Sequence, residues 1–256
     1  MEFFSTVGEI LAKYADKLLI GVGNTMLIAL AGTLIGLLIG LLTGVLRTMP
    51  TPKHAVMRVL QRVLNAIIAV YVEIFRGTPM MVQSMVIFWG YAFVAGGNTL
   101  PLIPAGIFIV SINTGAYMAE IVRGGIISIE KGQFEGAYAV GMTHWQTMLH
   151  VVIPQALRNI LPSISNEFVI NIKDTSVLNV IGVAELYKMA YDIQRMNLKI
   201  FETYAIVCVL YFILTFSVTR ILRYVERKLE GSRNYTICGS QSDSAAVIRV
   251  KEESHG

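Results

Sequence analysis

The sequence is poor in charge. Only 15% of its 256 residues are Asp, Glu, Lys or Arg, whereas 54% are hydrophobic. An ordinary soluble domain has a larger charged fraction to hydrate its surface. The mean hydropathy of +0.61 points the same way. This composition predicts an integral membrane protein.

The sequence also lacks the usual marks of a metal, disulfide or nucleotide site. Its two cysteines, Cys208 and Cys238, lie in an apolar run and in a polar tail, which gives neither a disulfide framework nor metal-ligand spacing. Its four histidines form no H-E-x-x-H motif, and there is no G-x-x-x-x-G-K-[ST] phosphate loop. We therefore predict no metal, no cofactor, no catalytic motif and no ATP-binding site in the chain.

Long apolar runs are what the sequence has in abundance. A helix needs roughly 20 residues to cross a hydrocarbon core of about 30 Å. Five runs reach that length, near residues 18–46, 60–97, 101–122, 150–172 and 203–222. The first is not a removable signal peptide, because Glu2, Glu9 and Asp16 precede it in place of a basic region. The prediction is an all-α membrane protein with five transmembrane helices over residues 1–230, followed by a disordered polar tail, 231–256.

Lys and Arg concentrate after the first, third and fifth runs. These residues are Arg47, Lys53, Arg58 and Arg62, then Arg123 and Lys131, then Arg220, Arg223, Arg227 and Lys228. Short cytoplasmic loops carry an excess of positive charge, so we predict that these loops are cytoplasmic, with the N-terminus outside and the C-terminus inside. This asymmetry accounts for the formal net charge of +4 without a nucleic-acid partner.

Glycine and proline mark two places within the runs. Four glycines recur at four-residue spacing in the first run: Gly32, Gly36, Gly40 and Gly44. They leave one helix face bare, and we expect another span of the same chain to pack there in preference to a second subunit. Gly77 and Pro79 interrupt the second run about halfway and predict two half-helices that meet in the membrane.

Ionisable side chains at membrane depth indicate functional sites, because burying each one in lipid is costly unless it faces a cavity or a partner. Glu73 and Arg76 are three residues apart just before the break and are expected to pair on one helix face. The half-helix that begins near Thr78 would offer free N–H groups to a substrate carboxylate, and Arg76 could add a bidentate contact. The alternative, in which the charged pair only locks the bend, stays open.

The fourth run carries a second polar stripe. Glu167, Asn171 and Asp174 stand at i, i+4 and i+7 and therefore share one helix face. We expect Glu167 to contact an ammonium or other cationic group, with the other two lining the way out. An interhelical clamp, or a pair of Asp174 with Lys173, is the alternative. Glu120 and Arg123 lie at the cytoplasmic end of the third run, and we expect them to clamp the loop that follows.

The segment between the third and fourth runs is short, amphipathic and rich in small residues. Its apolar and small residues recur at spacings of three and four: Phe134, Ala137, Tyr138, Gly141, Trp145 and Leu149. Gly141 weakens a helix there, and Thr143 followed by Gln146 is a capping-box pattern that begins the next helix. The pattern predicts a short helix, a turn and then a span. By itself it fits a structural connector as well as a partner site.

The same segment resembles a known signature. It reads E-G-A, three residues, Gly141, nine residues and V-V-I-P, and the cytoplasmic signature of permease subunits of binding-protein-dependent ABC importers reads E-A-A, three residues, G, nine residues and I-x-L-P. This sequence departs from it at Gly136, Val151 and Ile153, and Gly136 costs about 1 kcal/mol of helix propensity against alanine. Four other stretches are similar to the branch that takes up polar amino acids: VEIFRGTPMMVQ at 72–83, GAYMAEIVRGGIISIEKGQFEGA at 115–137, LPSISNEF at 161–168 and IKDTS at 172–176.

The resemblance, which covers roughly residues 20–228, implies a fold and a set of partners. The fold would be a five-helix permease with a cytoplasmic coupling-helix loop at about 132–148. That loop would dock in a groove of a separate ABC ATPase, present in two copies, through Phe134, Glu135, Gly136, Ala137, Tyr138, Gly141, Thr143 and Trp145. The remaining implied partners are a similar permease chain, as homodimer or heterodimer, an extracellular or periplasmic solute-binding protein, and a small polar amino acid as substrate. The location would be a prokaryotic cell membrane.

Two alternatives remain open from the sequence. A passive channel would need the same polar wall but no docking site for a motor. An importer of the same class could carry a solute other than an amino acid. The sequence also leaves open which amino acid is carried and which binding protein docks.

Overall fold

The computed structural model describes residues 2–52, 54–230, 235–238 and 247–250. The helices are α1 (Glu2–Arg47), α2 (Ala55–Gly77), α3 (Met80–Val94), α4 (Leu102–Ile127), α5 (Lys131–Ala139), α6 (His144–Thr147), α7 (Ile153–Asp174), α8 (Leu186–Asn197) and α9 (Ile200–Glu230). A π-helical turn, Met148–Val152, joins α6 to α7, and a 3-10 helix, Thr175–Ile181, follows α7.

The polar tail contains two short strands. β1 (Tyr235–Cys238) and β2 (Val247–Val250) pair antiparallel, with Tyr235 opposite Val250. The sequence predicts a disordered tail here, so these strands depart from that expectation. The rest of the tail lies outside the described residues, and its disorder stays a prediction.

Among the described residues, four helices are long and apolar enough to cross a membrane: α1, α2, α4 and α9. The fourth predicted span corresponds to α7, which has 22 residues but is not among them, because Arg158, Glu167, Lys173 and Asp174 make it too polar. The helical membrane fold is as predicted. The count of five spans and the orientation remain predictions.

The second apolar run is interrupted where the sequence predicts, but its two parts are unequal. α2 ends at Gly77 and α3 begins at Met80, with Thr78 and Pro79 in extended conformation between them. α2 has 23 residues and is about 35 Å long at 1.5 Å per residue, whereas α3 has 15 residues. The first part is thus long enough to cross the hydrocarbon core alone, so the two parts are not the equal half-helices that the sequence predicts, and the depth of the break in the membrane stays a prediction.

The glycine stripe of α1 packs against α4 of the same chain, as expected. It meets a row of α4 with the same spacing: Val110, Thr114, Met118 and Val122. A Cβ added to Gly36 would lie 2.8 Å from Cβ of Thr114, and one added to Gly44 would lie 2.7 Å from Cγ1 of Val122. Such distances leave no room for a methyl group. The bare face therefore brings two spanning helices into backbone contact.

The first half of α1 packs with α8 and α9 in a separate cluster. Tyr14 and Leu18 are buried against Leu186 of α8 and Ile206 of α9. Glu185 caps the start of α8: its fully buried carboxylate accepts the N–H groups of Tyr187 and Lys188 at 2.8 and 2.7 Å and the Tyr211 hydroxyl at 2.9 Å. These contacts fix α8 against α1 and α9.

We expect Gly40→Ala to destabilise the protein. The added methyl would lie 2.7 Å from the carbonyl carbon of Met118, and overpacking of this kind costs about 1–3 kcal/mol. The measurement is the melting temperature of the purified chain in detergent. Gly23→Ala is the matched control, because Gly23 lies on the same helix with nothing within 4 Å of an added Cβ. Equal melting temperatures for the two variants would contradict the close α1–α4 approach.

Candidate functional site

A cavity of about 1180 Å³ lies between the α2–α3 break, α4 and α7. Five of the predicted path residues line it: Arg76, Thr78, Glu167, Asn171 and Asp174. The cavity also reaches Glu130 and Gln133 at the start of α5. The fold thus brings together residues from two distant runs and joins them to the segment that carries the signature.

Arg76 has a different partner from the one predicted. Among the described residues no ion pair joins Glu73 to Arg76, and the Arg76 guanidinium lies 5.5 Å from the centre of the Tyr117 ring. Glu73 lines a neighbouring cavity of about 480 Å³, together with Arg47 and Glu120. The predicted pairing is therefore wrong. Arg76 is held by a cation–π contact that leaves its donors available to the larger cavity.

The break supplies free backbone donors, as the sequence predicts, but two residues later than expected. Pro79 caps α3 and has no N–H, and its carbonyl accepts the N–H groups of Val82 and Gln83 at 3.0 and 3.1 Å. Within the described part of the chain, the N–H groups of Met80 and Met81 have no acceptor. Met80 lines the cavity beside Pro79 and Thr78. These first-turn donors carry partial positive charge.

Gln83 and Asn113 are two buried polar residues at the break that the sequence analysis misses. The Gln83 amide donates to the Phe75 carbonyl at 2.9 Å, and to the carbonyl and hydroxyl of Thr78 at 2.9 and 2.8 Å. The Asn113 amide of α4 donates to Oε1 of Gln83 at 2.8 Å. The signal was a glutamine inside an apolar run, four residues after Pro79.

Asn171 forms the interhelical clamp that the sequence leaves open as an alternative. Its side chain is 3% exposed, accepts the Thr114 hydroxyl at 3.1 Å and donates to the Thr33 hydroxyl at 2.8 Å. Asn171 therefore ties α7 to both α4 and α1. Its oxygen and nitrogen are both engaged, although the residue also borders the cavity.

Glu167 and Asp174 stand on the same stripe without such partners. Glu167 is 6% exposed, and within the described residues neither carboxylate takes part in a hydrogen bond or ion pair. The alternative pair of Asp174 with Lys173 is therefore not formed. Both carboxylates line the cavity that Arg76 also lines. The cavity thus has acidic groups on α7 and basic groups at the break.

Glu120 clamps helices, but not the loop that was expected. Its carboxylate accepts two hydrogen bonds from Arg123, at 2.9 and 2.8 Å, and an ion pair joins it to Arg47. The contact fastens the end of α1 to α4. The coupling loop that follows α4 is not part of it.

The predicted short helix and turn are confirmed, and a further helix follows them; that this helix, α7, spans the membrane stays a prediction. α5 ends at Ala139, and Gly141 turns the chain with a φ of +82°, a conformation that favours glycine. Thr143 then forms the capping box with Gln146 and begins α6. Because α5 ends before Gly141, the six apolar and small residues of this segment do not share one helix face.

The segment has an inner and an outer side. Ala137 is buried, and Phe134 packs against the cluster around Val122 and Met148. On the outer side four large apolar residues are exposed, which we call the apolar face: Tyr138, Val140, Trp145 and Leu149. Glu135, Gly136 and Thr143 are exposed as well.

His144 stiffens the turn between α5 and α6. Its Nδ1 lies 3.2 Å from the hydroxyl of Tyr138, and its Nε2 is buried without a partner in the described residues. Burial lowers the pKa of His144 below its ordinary value. The neutral ring therefore persists at physiological pH and links one member of the apolar face to α6.

Comparison with known proteins gives consistent matches. A family model described as "Binding-protein-dependent transport system inner membrane component" matches residues 36–231. The chain is 39% identical over 168 residues to the glutamine transport system permease protein GlnP of Escherichia coli K12, which covers 66% of this chain and 77% of GlnP. It is 41% identical over 170 residues to the L-cystine transport system permease protein TcyB of Bacillus subtilis, covering 66% and 72%. A crystal structure of an amino acid ABC transporter with histidines superimposes with a TM-score of 0.72 at 33% identity, covering 85% of this chain and 96% of that one.

We expect Asn171→Ala to lower stability by about 1–2 kcal/mol, because it removes the hydrogen bonds that join three helices. Thermal unfolding of the purified chain in detergent is the measurement. Asp174→Asn is the control, since it keeps the shape of a residue on the same stripe that makes no hydrogen bond in the described chain. If Asp174→Asn destabilises the protein as much as Asn171→Ala, the clamp assignment is wrong.

Proposed function

The chain belongs to the family of inner membrane components of binding-protein-dependent transport systems, and on that premise we propose that it is the permease subunit of an ATP-driven importer of a polar amino acid. The observation that carries the proposal is the single cavity that extends from the charged groups at the α2–α3 break to the start of α5. A path for solute and a segment for a motor are thus adjacent parts of one structure.

The cargo assignment rests on the two signs of charge in the cavity. Arg76 and the first N–H groups of α3 suit a carboxylate, whereas Glu167 and Asp174 suit an ammonium or another cationic group. A molecule that carries both a negative and a positive group matches both sets of cavity residues. The names of the relatives, which include glutamine and cystine permeases, support an amino acid.

The apolar face supports a separate ATPase as the motor. Val140 and Trp145 are 78% and 52% exposed on a segment whose opposite side is packed into the chain. A groove of a partner protein would cover these side chains, and two ATPase copies would serve a dimer. The predicted coupling residues Phe134 and Ala137 would act from inside, by holding the segment to the permease.

A second permease chain, the same or similar, would complete the path. α2 buries only Ile68 and Val72 within the chain. Glu73, Arg76 and Thr78 are exposed at the end of this spanning helix, where lipid would make such groups costly. A dimer that covers this side would place them on an internal path. A binding protein on the outer face would deliver the solute.

The motor would act through one continuous helical segment. α6, the π-helical turn and α7 run without a break from His144 to Asp174. Movement of Trp145 at the ATPase contact would therefore shift Glu167 and Asp174 relative to the break. Such rocking of a rigid element alternates access to a site within the membrane.

We expect Gly141→Asp to abolish the stimulation of ATP hydrolysis by substrate. A side chain at a φ of +82° is strained, and a new charge beside the apolar face opposes docking. The measurement uses the chain, its ATPase and its binding protein reconstituted in lipid, with the polar amino acids screened as substrates. Gly90→Ala is the control: it adds a methyl into open space on α3, outside the coupling segment and the cavity lining, and should keep full stimulation. Solute flux that continues without ATP in Gly141→Asp would favour a passive channel.

We expect Glu167→Gln to weaken stimulation by the cognate amino acid at least about tenfold, because a neutral amide replaces the buried carboxylate that would face the cationic group. The amount of chain inserted into the membrane is measured in parallel. Insertion should stay close to that of the unmodified chain. An equal loss of insertion and stimulation would make Glu167 a folding residue.

A further inference from the structure

The α2–α3 break has two ends of opposite polarity. α2 finishes there with carbonyl groups that no longer have helical partners, and α3 starts with N–H groups in the same situation. The first end carries partial negative charge and the second partial positive charge. Left alone, the two ends would offset each other at the cavity wall, and neither sign of ligand would be favoured.

Gln83 makes the two ends of the break unequal. Its amide nitrogen donates to the carbonyls of Phe75 and Thr78, both at 2.9 Å, and the Thr78 hydroxyl donates to the Ile74 carbonyl at 2.7 Å, so three carbonyls at the negative end are satisfied within the protein. The N–H groups of Met80 and Met81 receive no such partner in the described chain. The carbonyls of Arg76 and Gly77 have no donor in the described chain either, so Gln83 occupies part of the negative end and leaves the first-turn donors of α3 free.

Asn113 holds Gln83 in this orientation. The Asn113 amide donates to Oε1 of Gln83 at 2.8 Å, which directs the Gln83 nitrogen toward α2. The two side chains are 7% and 9% exposed, which limits the competition of water for these bonds. A flipped Gln83 amide would place its oxygen against two carbonyl oxygens, which is repulsive.

The same contacts place Arg76. Phe75 and Thr78 flank it along the chain, and Gln83 binds groups of both. Loss of these bonds would free the last turn of α2, and with it the guanidinium above the Tyr117 ring. The buried amide of Gln83 thus affects both the electrostatic potential at the break and the position of the Arg76 guanidinium.

We propose that Gln83, oriented by Asn113, is a positioning residue that makes the α2–α3 break selective for the carboxylate end of the substrate. The orientation of a zwitterionic substrate follows, with its carboxylate at the break and its ammonium toward α7. This inference rests on the proposed function for the identity of the ligand. The polarity of the break itself does not depend on the proposed function.

The test measures local potential without substrate. Met80→Cys is introduced into the full chain after both native cysteines are replaced by serine, because Met80 lines the cavity and takes no part in the Gln83 contacts. The modification rates by an anionic and a cationic methanethiosulfonate are compared in the transporter reconstituted with its ATPase. We expect the anionic reagent to react faster, and Gln83→Leu to lower the ratio of the two rates by about threefold to tenfold.

Ser84→Ala is the matched control. Ser84 is the next residue, is fully buried, and donates only to the Met81 carbonyl of its own helix at 2.7 Å. It should leave the ratio unchanged. Asn113→Ala provides a second variant that keeps the Gln83 side chain, and it should lower the ratio in the same direction by a smaller factor.

Two results would overturn the proposal. One is a ratio that Gln83→Leu and Asn113→Ala leave unchanged, and the other is an equal fall in Ser84→Ala. General destabilisation affects both reagents alike, so it does not change their ratio. A wrong cargo would appear as missing stimulation in the reconstituted transporter and would not alter the ratio, so the two failures are distinguishable.

Discussion

The close contact between α1 and α4 is the constraint on which the other helix positions depend. With the glycine row of α1 against one side of α4, four residues within one stretch of five on α4 contact four neighbouring helices. Val110 meets Gly32 of α1, and the carbonyl of Ile112 accepts the Tyr71 hydroxyl of α2 at 2.6 Å. Asn113 reaches Gln83 of α3 and Thr114 reaches Asn171 of α7. A shift of α4 along α1 would break all of these contacts together.

The sequence predicts the features that depend on local chemistry. Gly77 and Pro79 locate the break, the glycine spacing identifies an intrachain contact, and Thr143 locates the start of α6. Hydropathy does not predict the length of α2, because its first turns include Arg58 and Gln61, which a helix accepts and an apolar window rejects. The helical period is a property of the chain, whereas the end of an apolar run is not always the end of a helix.

The partners of buried polar groups could not be predicted in the same way. Spacing alone pairs Glu73 with Arg76, but the guanidinium lies on Tyr117, a residue of another helix. The stripe on α7 is real, yet its members differ: Asn171 has two bonding partners on other helices, and Glu167 has none in the described chain. Which member becomes a clamp depends on the register between α7, α1 and α4. Periodicity within one segment contains no information about that register.

Unsatisfied groups are unusual inside a membrane protein, because hydrocarbon offers no hydrogen bonds. Two helix ends are compensated by buried side chains: Glu185 caps α8, and Gln83 binds the Phe75 carbonyl near the end of α2. The uncompensated groups are therefore informative. The donors of Met80 and Met81 and the carboxylate of Glu167 border the same cavity or its edge. A chain that leaves donors and an acceptor around one cavity is suited to a ligand that supplies both, and the helical segment from α6 to α7 connects that cavity to the apolar face.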